Sequence, residues 1–130
     1  MSNKYGARPT EVDGYKFASG AEARRYEELR LQALAGEITD LDVHPRFALY
    51  AAVLGIGWDA DAPTPHLRAD VPCDRAERVG FYTADFAYLA NGRLWVEDVK
   101  GKTAPLTEAF KLRKRLVEAT YGFTVEVVRM

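Results

Sequence analysis

The chain has 130 residues, of which 48% are hydrophobic and 28% charged, and its formal net charge is −1. This size and composition predict one globular domain over residues 1–130, and the near-zero charge gives no whole-chain argument for nucleic-acid binding. No membrane association is expected, because the apolar run from Ala48 to Ile56 is too short to cross a bilayer and the N-terminus lacks the apolar core of a secretory signal. A single cysteine, Cys73, favours a reducing, cytoplasmic location.

The first predicted regular element is a helix. Residues 1–18 are polar, with glycine and proline at intervals, and are expected to be irregular. A capping box at Ser19 and Glu22 begins a run of good helix formers. The helix is expected to stop before Gly36, since glycine is the commonest residue just past a helix end.

A strand and a long loop are expected next. Leu41 to Tyr50 carries apolar residues typical of a β-strand, and Pro45 within it indicates an edge position or a bulge. Residues 51–77 are rich in glycine, proline and aspartate without clear periodicity. They are predicted to form a long loop or insertion, with a short strand near 67–71.

The segment from Phe81 to Lys100 predicts two strands joined at Asn91-Gly92, a strong signal for a tight hairpin turn. If these two residues form the loop, counting back along the strands places Asp85 directly opposite Asp98. Alternation along the second strand puts Lys100 on the same face, two residues further on. The hairpin therefore brings two carboxylates and an ammonium group together.

A second helix is predicted from Ala104 or Pro105 to Tyr121, closed by Gly122, and a last strand from Phe123 to Arg129. The second hairpin strand, this helix and the last strand form a β-α-β unit, which places two strands in parallel. The chain is therefore expected to be an α/β protein whose mixed central sheet is flanked by helices, in the order α-β-β-β-α-β.

The hairpin carboxylates indicate a cation site. Like charges directly opposed in a sheet repel each other, so a divalent metal between Asp85 and Asp98 is expected. Mg²⁺ is the first choice, because it prefers carboxylate oxygens, waters and substrate phosphates, and Mn²⁺ is an alternative. Lys100 would orient or activate an attacking water for phosphodiester hydrolysis. Alternatively, Lys100 only forms a structural ion pair with one of the aspartates.

These residues resemble the PD-(D/E)XK nuclease superfamily, through Asp85 near the end of one strand and Asp98-Val99-Lys100 in the next. The closer resemblance is to small phage- and prophage-encoded endonuclease-like proteins, similar to Holliday-junction resolvases. It rests on five segments of the chain: Lys4-Tyr5-Gly6, Gly14 to Glu22 with Tyr26, Leu41 to Phe47, Ala84-Asp85-Phe86 and Val96 to Gly101. It covers most of the chain outside residues 51–77, although the proline that names the motif is absent before Asp85.

The resemblance implies a restriction-endonuclease-like core and a metal-dependent DNA endonuclease, acting on branched DNA in phage recombination or replication. It also implies that Glu22 joins Asp85 and Asp98 as a metal ligand, with Lys100 as the fourth catalytic residue. Alternatively, Glu22 serves only as the N3 residue of the capping box, a position that needs no catalytic role. The alternative for the whole chain is an inactive nucleic-acid-binding module of the same fold, or a structural α/β protein.

Four basic residues are candidates for phosphate contacts. Arg113 lies within the apolar arc of the second helix, where a cation needs an anionic partner unless its stem only covers the core. Lys111 and Lys114 lie on the wet side of that helix, and Lys102 directly follows the hairpin. A homodimer that pools two such surfaces would bind DNA more strongly, so a dimer is expected.

Overall fold

The computed structural model describes residues 8–59 and 66–130, with side chains described for 8–53 and 75–130. The described elements, in chain order, are β1 (Thr10–Val12), β2 (Tyr15–Phe17), α1 (Gly20–Leu34), β3 (Thr39–Val43), β4 (Arg46–Asp59), β5 (His66–Thr83), β6 (Phe86–Ala90), β7 (Arg93–Lys100), α2 (Glu108–Tyr121) and β8 (Val125–Arg129). The fold is thus mixed α/β, as predicted. In this part of the chain, neither helix is long and apolar enough to cross a membrane.

A four-stranded sheet in the order β3-β6-β7-β8 forms the centre of the fold. The strands β6 and β7 form the predicted hairpin, in which Ala90 pairs with Arg93 and Phe86 with Glu97. Both turn residues, Asn91 and Gly92, have positive φ (53° and 72°), as a type I′ turn requires. The strands β7 and β8 pair in parallel across α2, so the sheet is mixed, as the β-α-β prediction requires.

The two helices pack against different sets of sheet residues. The α1 side contains Phe17, Leu29 and Phe86, all at most 1% exposed. The α2 side contains Val96 and Val117, both fully buried. Because alternate residues of β7 enter the two clusters, Asp98 and Lys100 lie on the α2 side of the sheet while Glu97 lies on the α1 side.

Residues 51–77, predicted to be a long loop or insertion, do not form a loop in their described part, and the short strand predicted near 67–71 lies within β5. Residues 51–59 belong to β4 and 66–77 to β5, which pair as an antiparallel two-stranded ribbon; residues 60–65 lie outside the described residues. Glycines and prolines conceal the strands in the sequence. The pairing of β4 with β5 shifts register at three places, after Leu49, Val53 and Gly55, and these irregularities interrupt the alternation of side chains. Between the shifts, the two strands form backbone hydrogen bonds with each other.

Three smaller expectations are also corrected. The segment 10–17 forms the hairpin β1–β2 rather than irregular chain, with Asp13 and Gly14 at its turn (φ 52° and 81°). The predicted strand 41–50 is two strands, because the chain leaves the central sheet after β3, which is an edge strand. The second helix begins at Glu108, since the Thr107 side chain accepts a hydrogen bond from the backbone N–H of Phe110 and caps it.

Candidate active site

The candidate site lies where the ribbon β4–β5 meets the central sheet. The chain leaves the sheet at His44 and Pro45 and returns to it at Ala84 and Asp85. These two segments are hydrogen-bonded to each other: the backbone N–H of His44 donates to the Asp85 carbonyl (2.9 Å), and that of Ala84 donates to the Pro45 carbonyl (3.0 Å). This pairing fixes His44 next to Asp85, although 40 residues separate them in the sequence.

Asp85 is held at the end of the hairpin ladder. Its backbone N–H donates to the Glu97 carbonyl (3.0 Å), and its carboxylate Oδ2 accepts from the backbone N–H of Val99 (2.6 Å). Burial, followed by the neighbouring Asp98 and Glu22 carboxylates, raises the pKa of Asp85 to about 8 from an ordinary 3.8. The carboxyl groups of Asp85, Asp98 and Glu22 thus lie close enough to disfavour the charged form of Asp85.

Asp98 is 6% exposed and has two close partners. Its Oδ2 accepts a hydrogen bond from the hydroxyl of Tyr82 (2.6 Å), and its Oδ1 lies 3.0 Å from the Lys100 Nζ. The same Nζ lies 4.2 Å from the centroid of the Phe110 ring. Burial raises the pKa of the Tyr82 hydroxyl, and the charge of Asp98 raises it further, so Tyr82 remains a donor. The ion pair predicted as an alternative role for Lys100 is thus formed with Asp98.

Glu22 combines a capping role with a place in the site. Its backbone N–H donates to the Ser19 hydroxyl (3.2 Å), and its carboxylate accepts from the backbone N–H of Ala18 (3.4 Å). Burial raises the pKa of Glu22, and the charge of Asp98 raises it further. The hydrogen bond from Ala18 and the neighbouring His44 lower it, but the net shift is upward. The capping role therefore does not exclude Glu22 from the carboxylate cluster.

His44 is a member of the site that the sequence did not reveal. Its Nε2 lies 3.9 Å from Oε2 of Glu22. One ligand atom each from Glu22, His44 and Asp85 lie within 4.8 Å of one another, a spacing that could hold a metal ion. Neither His44 nor Tyr82 stands out in the sequence, because their partners come from elements distant in the chain.

One cleft of about 460 Å³ contains the four predicted catalytic residues. Asp85 and Asp98 line it with Lys100, and Glu22 reaches it from the N-terminus of α1. The rest of its wall comes from the end of β5 and from the α2 region: Phe81, Tyr82, Thr83, Val99, Thr107, Ala109, Phe110 and Arg113. The cleft therefore holds three carboxylates and two cationic side chains.

The four predicted phosphate-binding residues are distributed unequally. Arg113 lines the cleft and is exposed, which agrees with the alternative that its stem covers the core while the guanidinium stays in solvent. Lys111 is paired with Glu108 (3.0 Å), and Lys114 with Glu118 (2.8 Å). Lys102 lines a separate groove with residues of α1 and the C-terminus. Of these four, only Arg113 is placed at the carboxylate cluster.

Glu97, the neighbour of Asp98, belongs to a network on the opposite face of the sheet, since successive side chains of a strand point to opposite faces. It is 2% exposed. The Arg25 guanidinium donates two hydrogen bonds to its carboxylate, at 2.8 and 2.7 Å, and the Tyr88 hydroxyl donates another. Arg25 lies one turn after Glu22 on α1, so this network ties the helix that carries Glu22 to the strand that carries Asp98 and Lys100.

The fold and cleft define a mixed α/β protein with a buried carboxylate cluster beside a lysine. The chain belongs to the family described as "Protein of unknown function (DUF1064)", whose model matches residues 2–128. Comparisons with curated proteins and with solved structures find no match. The family description names no activity.

Proposed function

We propose that the protein is a metal-dependent endonuclease that hydrolyses phosphodiester bonds in DNA, with Mg²⁺ or Mn²⁺ as its cofactor. The observation that carries this proposal is the meeting of Glu22, Asp85, Asp98 and Lys100 in one cleft. The three carboxyl groups outnumber the two cationic side chains of the cleft, and burial together with the neighbouring carboxylates raises the pKa of Asp85. A divalent cation bound between the carboxylates would relieve this repulsion. Such a set can serve metal-assisted phosphodiester hydrolysis, with carboxylates to hold the ion and a lysine to orient water or meet the developing charge.

The donor set fits a hard or borderline divalent ion. Asp85 and Glu22 would supply carboxylate oxygens and His44 an imidazole nitrogen, while Asp98 would bind directly or through water. The imidazole favours Mn²⁺ relative to Mg²⁺, because nitrogen ligands suit transition ions better than alkaline-earth ions. When bound, the ion would neutralise charge on the phosphoryl group and lower the pKa of a water.

The remaining chemistry falls to Lys100 and its support. The ion pair with Asp98 and the contact with the Phe110 ring fix the position of the ammonium group in the cleft. From there it would orient the attacking water or meet the negative charge that develops on the phosphate oxygens. In-line attack on phosphorus would leave a 5′-phosphate and a 3′-hydroxyl, as the superfamily resemblance implies.

The order of elements gives independent support. The central sheet and the two helices follow one another in the chain as α1-β3-β6-β7-α2-β8, with the ribbon β4–β5 inserted between β3 and β6. This is the order that the resemblance to PD-(D/E)XK nucleases implies for a restriction-endonuclease-like core. Asp98 lies in β7 and Asp85 directly precedes β6, which are the positions that the resemblance implies for the two aspartates.

Cleavage of a panel of labelled DNAs tests the proposal. Branched, single-stranded and duplex substrates are each incubated with Mg²⁺ or Mn²⁺, and the panel also identifies the preferred DNA structure. The wild type should cut at least one substrate, and Asp98→Asn should lower the rate by about 100-fold or more. Asp42→Asn, an exposed aspartate in β3, is the matched control and should leave the rate unchanged. If wild type and Asp98→Asn bind DNA equally and neither cuts, the protein is a binding module and the proposal is wrong.

A further inference from the structure

A surface of arginine and aromatic side chains lies beside the cleft, on the solvent-facing side of the ribbon β4–β5. It consists of Arg46, Tyr50, Arg78 and Phe81, and we name it the arginine–aromatic face. Tyr50 is 47% exposed and Phe81 38% exposed, and both arginines are exposed.

The ribbon register explains why these four side chains share a face. Tyr50 pairs directly with Arg78, and Phe81 pairs with Ala48, which lies midway between Arg46 and Tyr50 in β4. Alternate residues of a strand point to the same side. The intervening residues Phe47, Leu49 and Tyr82 therefore point the other way and pack into the α2 cluster. Burial of that opposite side is what keeps the arginine–aromatic face turned to solvent.

The two guanidinium groups are held over the same ring. The Arg46 Cζ lies 3.6 Å and the Arg78 Cζ 5.0 Å from the Phe81 ring centroid. Stacking of this kind positions a guanidinium while leaving its N–H groups available to an anion. Among residues whose side chains the structure describes, no carboxylate forms an ion pair with either arginine. Two positioned cations therefore face solvent.

The arginine–aromatic face is continuous with the candidate active site. Phe81 and Thr83 line the cleft together with Asp98, Lys100 and Arg113. A polyanion lying on this face would therefore lead directly to the carboxylate cluster. The path combines cations for phosphates with exposed rings for planar groups.

We propose that the arginine–aromatic face binds an unpaired stretch of a DNA strand next to the phosphodiester that is cut. Arg46 and Arg78 would contact phosphates, and the Tyr50 ring would stack on a base. Stacking requires unpaired bases, because the faces of bases within a duplex are already covered by their neighbours. That the polyanion is DNA rests on the proposed function, whereas the binding itself needs no cleavage.

Fluorescence anisotropy with labelled oligonucleotides tests this proposal. Wild type is titrated in EDTA, which prevents cleavage, into single-stranded oligo-dT of roughly 15 nucleotides and into a duplex of the same length. The single strand should bind more tightly. The double variant Arg46→Ala/Arg78→Ala should raise the Kd at least tenfold, and it should reduce the slope of log K against log salt by about 1.4, since each lost phosphate contact removes about 0.7.

Two further variants separate stacking from charge. Tyr50→Ala should raise the Kd for the single strand about tenfold without changing the salt slope, because stacking releases no counterions. Arg24→Ala/Arg30→Ala is the charge-matched control, since both are exposed arginines of α1 that belong to neither the cleft nor the arginine–aromatic face. It should leave binding of the single strand nearly unchanged.

The possible results distinguish this inference from the proposed function. The inference is wrong if the two double variants lose binding equally, or if the protein binds duplex and single strand with equal affinity. It is also wrong if the protein binds oligo-U more tightly than oligo-dT. DNA cleavage that Arg46→Ala/Arg78→Ala leaves unaffected would overturn it and preserve the nuclease proposal. If the protein binds single strands specifically but cuts no substrate, the proposed role of the arginine–aromatic face is supported and the proposed nuclease activity is contradicted.

Discussion

Replacing Asp85 with asparagine should stabilise the metal-free protein at neutral pH, which is unusual for a substitution at a half-buried, hydrogen-bonded residue. Burial and the neighbouring carboxylates raise the pKa of Asp85 to about 8 in the folded protein, against an ordinary value of 3.8. Between those two pH values the folded state therefore holds a proton that the unfolded state has released. Stability must fall as pH rises through this window.

The size of the effect follows from linkage. One proton of difference changes the free energy of unfolding by about 1.4 kcal/mol per pH unit, so the loss between pH 5 and 7 is at most about 2.7 kcal/mol. Asparagine carries no charge and its side-chain oxygen can still accept the hydrogen bond from Val99 N. We therefore expect Asp85→Asn to be more stable than wild type by roughly 2–4 kcal/mol at pH 7, and by much less at pH 4.5.

Urea denaturation in EDTA across pH 4.5–8 measures this difference, with Asp42→Asn as the control for replacing an exposed aspartate. Saturating Mg²⁺ should reverse the ranking, since wild type gains stability from the bound ion and the variant loses a ligand. The reasoning is refuted if Asp85→Asn shows the same pH dependence as wild type, or if Mg²⁺ stabilises both proteins equally.

Three further substitutions follow from the site. Tyr82→Phe removes a hydrogen bond to buried Asp98 and should cost about 1–3 kcal/mol of stability in urea denaturation, whereas no loss would mean that this bond is unimportant. Arg25→Ala leaves Glu97 buried and unpaired and should cost about 3–5 kcal/mol; a cost below 1 kcal/mol would contradict the network. His44→Ala should weaken Mn²⁺ binding about tenfold by calorimetry and Mg²⁺ binding less, whereas equal effects would remove His44 from the metal ligands.

The parts of the fold that local rules determine were predictable from the sequence. Asn91-Gly92 has the one backbone geometry that a two-residue hairpin favours, so counting from it gave the register and the meeting of Asp85 with Asp98. Likewise, Ser19 and Glu22 form a capping interaction within four residues, so the start of α1 needed no tertiary information.

Features that depend on distant pairing were not predictable in the same way. The ribbon β4–β5 is stabilised by ladders between residues far apart in the sequence, and its bulges remove the alternation that would reveal a strand. His44 enters the site only because its backbone pairs with Asp85. Similarly, Tyr82 reaches Asp98 because β5 returns beside the sheet. A single histidine or tyrosine in a sequence gives no indication of such a partner.

The central claim is that the cleft holds a divalent cation between Glu22 and Asp85. Anomalous diffraction from crystals grown with Mn²⁺, recorded at the manganese absorption edge, tests it most directly. The account predicts a peak within about 2.0–2.5 Å of a carboxylate oxygen from each residue, with the His44 ring in the same coordination sphere. A map with no peak in this cleft at saturating Mn²⁺, or with ions only elsewhere on the surface, would contradict it.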